Sequence, residues 1–464
     1  MNQGWDLADW RGKRVVVVGL ARQGKALTRH FAAVGARVAV TDLRPASELG
    51  PAMDELEGLP VTYELGGHPS ALLEGADLLC LSGGVPADLP LAQQARELGI
   101  AVTNDSQLLL EACPAPVVGI TGSAGKSTTT ALLGAMAEIG LRGSGRRAWT
   151  GGNIGRPLLL DLPQIGPDDL VVLELSSFQL ELMTRAPAIA VVLNITPNHL
   201  DRHRTMVAYT ESKARILEFQ ELDGTSILGW EDDGAWELRQ RVRGRLMGFG
   251  RAPRPSLSGT FLENGRIQLD LGDGIEEICA AEDVPLRGEH NLLNVLAACA
   301  AAAAAGLSTA AMAEGIRTFR GLPHRLELIR TVRGADWYDD SIATAPERTL
   351  AALRSFSQPI VLLAGGRDKD LPWDEFAAFV RSGVDHLILF GEAAAKIQAA
   401  VEADRGQRPY SMDIVADLDS AVQAAVRRAQ AGDAVLLSPG GTSYDAFADF
   451  AARGERFRQL VERL

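Results

Sequence analysis

Short apolar runs recur along the chain, each followed by a longer stretch with helical spacing. RVVVVG at 14–19 reads as a strand buried on both faces, and RVAVTD at 37–42 as its partner after one helix. Further strands are expected at 77–82 and 100–103. A second series follows at 116–121, 170–175 (LVVLEL), 189–195 (IAVVLNI), 225–229 and 260–270. It closes with a long helix at 289–305, whose alanine run favours helix and close packing. A third series lies at 335–339, 359–364, 384–389 and 433–438. Strands alternating with helices predict parallel sheets. The pattern breaks twice, at EACPAPV (111–117), read as a hinge, and at RGLPHRLE (320–327). Three α/β domains are therefore expected, over 1–112, 113–321 and 322–464.

Composition narrows the class. No apolar run reaches the ~20 residues of a membrane span. The opening MNQGWDLADW lacks the charged-then-apolar order of a secretory signal. Cys80, Cys113, Cys279 and Cys299 are far apart and form no CxxC pair, so no zinc knuckle or disulfide framework is read. A cytoplasmic protein is expected, with no membrane partner. The net charge of −13 argues against a nonspecific nucleic-acid binder. It leaves room for anionic small molecules, because local cations override the global sign.

The stretch PVVGITGSAGKSTTT (116–130) carries the first chemistry. Gly122 and Gly125 allow a tight turn that brings backbone N–H groups and the Ser123 hydroxyl near an anion. Lys126 adds a charge. Ser127 and Thr128 stand at a helix start, where a phosphate is favoured and a hydroxyl can meet Mg²⁺. The strict GxxxxGK[ST] spacing is missed, with Ile120 where glycine belongs. In the first domain GLARQG (19–24) is an imperfect GxGxxG frame, and Asp42 ends the next strand where a ribose-binding acid belongs. Pattern alone leaves NAD(P), another nucleotide and plain helix–strand packing open.

Glu174 lies in an apolar strand, where a charge is costly unless it is paired or meets a metal. NITPNHLDRH (194–203) places His199 and Asp201 just past the next strand. Parallel strands bring these ends to the edge that carries the phosphate loop. Ser127, Glu174 and His199 are thus candidate ligands for one or two Mg²⁺ ions.

Together GITGSAGKSTTT, GGNIG (151–155), ELSSFQLE (174–181), NITPNHLDRH, EHNLLN (289–294), GLPHRLE and LSPGGTSYDAFADF (437–450) resemble the Mur ligases, in the family's order. ELSSFQLE is most similar to the glutamate-adding branch. The resemblance implies a Rossmann-like UDP-binding domain, a central P-loop-type ATPase domain and a C-terminal Rossmann-like domain. It implies an ATP-dependent ligase that joins D-glutamate to UDP-N-acetylmuramoyl-L-alanine through an acyl phosphate, in peptidoglycan precursor synthesis. By the same resemblance Lys126, His199 and Lys213 are catalytic, and Lys213 is carbamylated by CO₂ and joins the metal ligands. Asn153 and His199 meet the muramoyl substrate. Asn291, Arg325 and Asp340 receive adenosine, with His324 and Arg325 on an interdomain hinge. Thr344, Lys369, Ser443, Tyr444 and Phe450 line the glutamate pocket. The first domain then holds UDP rather than NAD, through Arg22, Gln23, Asp42, Arg44 and Gly84. A monomer is expected.

Two readings compete within this class. Ile342 stands in DSIATA where many relatives have lysine, which keeps L-glutamate as an alternative substrate. Another amide ligase, such as a folylpolyglutamate synthase, would lack ELSSFQLE and a UDP-binding domain. Asp340 is also read as a helix N-cap, and a helix starting directly after LSPGGTS as an anion site.

Overall fold

A computed structural model describes residues 9–404, 406 and 408–464. The chain divides into two contact units, one made of residues up to 285 with 289–319, the other of 286–288 with 320–464. The first unit holds two sheets and the second holds one, which gives three sheet-centred domains.

The first sheet is parallel, with β1 (Arg14–Val18), β2 (Arg37–Asp42), β3 (Val61–Leu65), β4 (Leu78–Leu81) and β5 (Ala101–Thr103) in the order β3-β2-β1-β4-β5. Val15 and Val17 enter one core with Trp10, Leu27 and Phe31. Val16 and Val18 enter another with Leu79 and Leu91. This two-sided burial is why the run contains no polar residue. Strand order reverses between β1 and β4, so their carboxyl ends open a crevice.

The second sheet contains β6 (Val117–Thr121), β7 (Ala148–Gly152), β8 (Leu170–Glu174), β9 (Ile189–Val192), β10 (Thr225–Gly229), β11 (Arg245–Gly250), β12 (Gly259–Glu263), β13 (Arg266–Asp270) and β14 (Ile275–Ala280). Its order is β14-β13-β12-β11-β10-β9-β6-β8-β7, with β13 antiparallel to both of its neighbours, β12 and β14. The central strands pair in register, Ile120 beside Glu174 and Thr121 beside Val192. The helices Lys126–Gly140 and Glu289–Ala304 pack together on one face, and Ala297–Ala302 are fully buried there. The helix Met206–Glu218 covers the other face.

The segment expected as one strand at 260–270 is a hairpin. Asn264 and Gly265 take φ of 50° and 73°, so a two-residue turn divides β12 from β13. The 111–117 link does not separate two free bodies. Asn104 Nδ2 donates to the Gln179 carbonyl at 2.8 Å, and Gln179 Nε2 to Ser106 Oγ at 2.7 Å, tying the two sheets into one unit.

The third sheet has β15 (Glu327–Val332), β16 (Ala335–Asp339), β17 (Ile360–Gly365), β18 (His386–Phe390), β19 (Ser411–Ile414) and β20 (Ala434–Gly440) in the order β15-β16-β20-β17-β18-β19. Only β15 runs antiparallel to its neighbour. Two expectations change here. Asp340 caps no helix, because the next helix begins at Pro346 after Ala345, and a proline at the first helical position needs no such partner. The stretch after LSPGGTS turns irregularly until Asp449 caps the helix Phe450–Glu462, so no helix start lies beside Ser443.

Candidate functional site

Between β6 and the helix Lys126–Gly140 the chain turns through Gly122 and Gly125, whose φ values are 158° and 84°. A Cβ on Gly125 would lie 2.1 Å from Asn294 Oδ1, and one on Gly122 would lie 2.9 Å from Leu193 Cβ. Both glycines are therefore demanded by conformation and by space. Asn194 braces the loop from the β9 end. Its carbonyl accepts from Ser123 N at 2.9 Å and its Oδ1 from Ala124 N at 2.8 Å. Ser123 Oγ accepts from Tyr209 at 3.0 Å and donates to the Thr196 carbonyl at 2.9 Å, so this hydroxyl holds the loop's shape. The amides of Lys126, Ser127 and Thr128 open the helix, where a first turn lacks intrahelical acceptors and favours an anion.

Lys126 Nζ folds back to the carbonyls of Gly122 (2.8 Å) and Ser123 (3.3 Å). Lys213 Nζ reaches the same Gly122 carbonyl at 2.8 Å from the opposite side of the sheet's end. Lys213 is 1% exposed and lies over the Tyr209 ring at 4.7 Å. Burial pushes its pKa well below the usual lysine value, Lys126 adds to this, and Glu174 opposes both.

Glu174 ends β8 with 1% of its surface exposed. Asn153 Nδ2 donates to its Oε1 at 2.7 Å, while Oε2 has no hydrogen-bond partner among the described residues. A buried, unsatisfied carboxylate oxygen near a phosphate loop suits a hard divalent cation. The donor set thus fits Mg²⁺, with the Ser127 hydroxyl at the helix start. His199 stands at the αL position (φ 53°) and sets its ring edge-on against Phe178 at 5.2 Å. The Asp201 side chain lies outside the described set.

In the first domain Asp42 is buried at the end of β2. Its carboxylate accepts from Leu20 N at 2.8 Å and from Arg44 through N (3.0 Å), Nε (3.0 Å) and Nη2 (2.8 Å). Burial works to raise its pKa, but these hydrogen bonds prevail and hold it at about 2. Gly24 packs where a Cβ would lie 1.8 Å from the Gly19 carbonyl oxygen, the close helix–strand approach of a nucleotide-binding turn. Gln23 Oε1 accepts from Gly83 N at 2.8 Å. Arg22 and Gly84 join the two sheets of this unit. Arg22 donates to the Gly155 and Asn153 carbonyls at 2.7 and 2.8 Å, and Arg202 donates to the Gly84 carbonyl at 3.2 Å.

Asn291 accepts from Asn294 Nδ2 at 3.1 Å, which links it to the neighbour of Gly125. In the second unit Asp340 is buried, accepting from Ser438 Oγ at 2.7 Å and Leu326 N at 3.2 Å. Burial raises its pKa to about 7, against these hydrogen bonds and the nearby Arg325. Arg325 follows His324, whose φ is 62° and whose Nδ1 lies 2.7 Å from Asp339 Oδ2. Lys369 Nζ approaches Thr344 Oγ1 at 3.5 Å. Ser443 is buried, Tyr444 is exposed, and Phe450 opens the last helix with its ring 6.3 Å from His324.

Asn194, Asn294 and Tyr209 had no role in the sequence reading. Asn194 and Asn294 lie within the quoted motifs and Tyr209 four residues before Lys213, yet only the fold shows that they touch the phosphate loop.

Comparison with known proteins places these residues in a family. A model described as Mur ligase middle domain matches residues 120–302. Models described as Mur ligase, glutamate ligase domain and as Mur ligase MurD-like, N-terminal domain match 324–441 and 13–104. The UDP-N-acetylmuramoylalanine–D-glutamate ligase of Symbiobacterium thermophilum is 41% identical over 453 residues, 97% of this chain and 98% of that protein. The protein of that name from Thermoanaerobacter sp. (strain X514) is 36% identical over 460 residues, 98% and 99% of the two chains. Among solved structures, the UDP-N-acetylmuramate–alanine ligase of Thermotoga maritima shares the fold, with a TM-score of 0.60 at 18% identity over 97% of this chain and 99% of that one. A MurF structure from Acinetobacter baumannii gives 0.57 at 18% identity, covering 100% and 93%. The chain belongs to the Mur ligase family and is an ATP-dependent amide ligase.

Proposed function

We propose that this enzyme adds D-glutamate to UDP-N-acetylmuramoyl-L-alanine, releasing ADP and phosphate, in the cytoplasm and as a monomer. The full-length relatives that carry this name support the reading. The observation that carries the chemistry is the buried Lys213 held against the phosphate loop near Glu174.

The substrate carboxylate attacks the γ-phosphorus of ATP, and ADP leaves. The acyl phosphate then meets the glutamate amine, the C–N bond forms, and phosphate departs. Lys126 and the helix amides stabilise charge on the phosphoryl group in flight. Gly122, Ser123, Gly125, Ser127 and Thr128 form the cradle. Bound Mg²⁺, held by Ser127, Glu174, His199 and a modified Lys213, would neutralise charge between the two anions. Burial shifts Lys213 toward its neutral amine, the form whose lone pair attacks CO₂. A C–N bond forms, one proton leaves, and a carbamate replaces an ammonium that would repel the metal.

Arg22, Gln23, Asp42, Arg44 and Gly84 are assigned to UDP, and Asn153 and His199 to the muramoyl end. Asn291, Arg325 and Asp340 are assigned to adenosine, and Thr344, Lys369, Ser443, Tyr444 and Phe450 to glutamate. We take domain boundaries at 112/113 and 321/322. Ile342, partly buried two residues from Thr344, supplies no cation, so Lys369 is the charge offered to a glutamate carboxylate.

The test is ADP release with UDP-N-acetylmuramoyl-L-alanine against a panel of amino acids that includes both enantiomers of glutamate. Turnover confined to D-glutamate supports the reading. Turnover with L-glutamate alone overturns the stereochemistry, and turnover without the UDP substrate overturns the assignment.

A further inference from the structure

Arg453 is one of the largest fully buried side chains, at 0% exposure. A guanidinium is rarely buried unless its donors are met. Nε donates to Ser341 Oγ at 2.9 Å, Nη2 to the Ser341 carbonyl at 2.9 Å, and Nη1 to the Gly441 carbonyl at 3.1 Å. Ser341 Oγ passes the link on, donating to the Phe450 carbonyl at 2.8 Å. The Asp339 and Asp445 carboxylates balance the charge. Nη1 also lies so close to Gly366 that a Cβ there would sit 2.8 Å from it.

These contacts converge on one edge. Ser341 follows β16, Gly366 follows β17, and Gly441 follows β20, three neighbouring strands whose carboxyl ends lie together. Three residues beyond Ser341 is Thr344. Three beyond Gly366 is Lys369. Two beyond Gly441 is Ser443, and Phe450 begins the helix that carries Arg453. One planar fork therefore bonds the segments that lead to Thr344 and Ser443 to the helix that Phe450 opens, and packs against the one that leads to Lys369, without standing in the glutamate-binding set itself.

We propose that Arg453 is a positioning residue that fixes the spacing of the glutamate-binding loops. The proposal rests on the assignment of Thr344, Lys369, Ser443 and Phe450 to glutamate. Lysine cannot replace the fork, because a point charge on a flexible stem does not hold two segments in a fixed plane. The loops then sample other spacings, and glutamate binding bears the cost.

The experiment measures steady-state ADP release by Arg453→Lys while each substrate is varied in turn. Loss of part of a buried charged network should raise the glutamate KM at least about tenfold. The KM for the UDP substrate should stay within about twofold, since its assigned residues lie in the first unit, whereas the KM for ATP should rise less than that for glutamate, since only Asp340 of the adenosine set adjoins Ser341. A merely structural residue would lower the active fraction and leave all three KM values alone. An unchanged glutamate KM, or a parallel rise in all three, overturns the proposal. Should Arg453→Lys not fold, Ser341→Ala removes the shared hydroxyl and keeps the buried charge. It should raise the glutamate KM more than the KM for ATP and leave that for the UDP substrate unmoved, and an unchanged glutamate value overturns the proposal equally. Lys369→Ala is the control. If it leaves the glutamate KM unchanged, the pocket assignment falls and the clamp falls with it. If it raises that KM while Arg453→Lys and Ser341→Ala do not, the assignment stands and the clamp alone is wrong.

Discussion

Lys126 and Lys213 donate to the same acceptor, the Gly122 carbonyl, each at 2.8 Å. Two ammonium groups cannot share one buried oxygen without cost, and the group with less access to water gives up its proton first. Lys213 is that group. Burial favours its neutral, nucleophilic form, and capture of CO₂ would exchange a repelled cation for an oxygen ligand near Glu174.

Lys213→Ala should therefore be nearly inactive and partly restored by a short carboxylate such as acetate, which fits the space the side chain leaves. Activity is read as ADP release with and without the additive. Full activity of the alanine variant in its absence would exclude a carbamate role.

The phosphate loop offers a cleaner separation of chemistry from folding. Lys126→Ala removes a part-buried cation from a loop already braced by Asn194 and Tyr209, so the fold should survive. Turnover should fall by about 10²- to 10³-fold, the usual cost of one donor at a developing charge. Gly125→Ala should behave differently, because a Cβ at φ 84° also strikes Asn294 Oδ1. It should lower the melting temperature as well as the rate. A stable, fully active Lys126→Ala enzyme would remove the loop from the mechanism.

The loop was legible because glycine, lysine and hydroxyls carry their chemistry in their identity. The buried strands β1, β6, β8 and β9 were legible because two-sided burial leaves unbroken apolar runs. The strands not anticipated are those lacking that signature. β3 and β15 are half exposed, β14 begins with three exposed residues, β19 is a short strand at a sheet edge, and glycines fall in β7 and β11. Asp340 followed a strand as expected, yet the cap was misjudged because Pro346 rather than Asp340 sets the helix start. Arg453 could not be singled out at all. One arginine in an amphipathic helix looks solvated until the fold places Ser341 and Gly441 around it.

Asp340 links this fold to pH. Its pKa rises from 3.8 to about 7 on folding, chiefly because burial disfavours the carboxylate. The stability it contributes is complete below the unfolded value of 3.8 and is lost as pH climbs through about 7. At about 1.4 kcal/mol per unit, the change between these limits is on the order of 4 kcal/mol. Asp340→Asn keeps an acceptor for Leu326 N and a polar group for Ser438. It should flatten the pH dependence between 4 and 7, read by urea denaturation at several pH values. A wild-type slope in the asparagine variant would assign that dependence to another group.

The first domain is where sequence left the ligand open, and Asp42 decides how it can be tested. Four donors hold its carboxylate ionised, two of them from the Arg44 side chain, and one is the Leu20 amide at the turn after β1. The pair thus shapes the turn at the carboxyl end of β1, beside which the strand order reverses. A ligand that binds only the folded state raises its stability by RT ln(1 + [L]/Kd), about 2.7 kcal/mol at a hundredfold excess over Kd. UDP-N-acetylmuramoyl-L-alanine should raise the melting temperature, and NAD should not. Asp42→Ala should weaken that shift, since it frees Arg44 and leaves the Leu20 amide without its partner. The same variant should keep its thermal response to ATP, because the phosphate loop belongs to a different sheet. A shift with NAD and none with the UDP substrate would return the domain to dinucleotide binding.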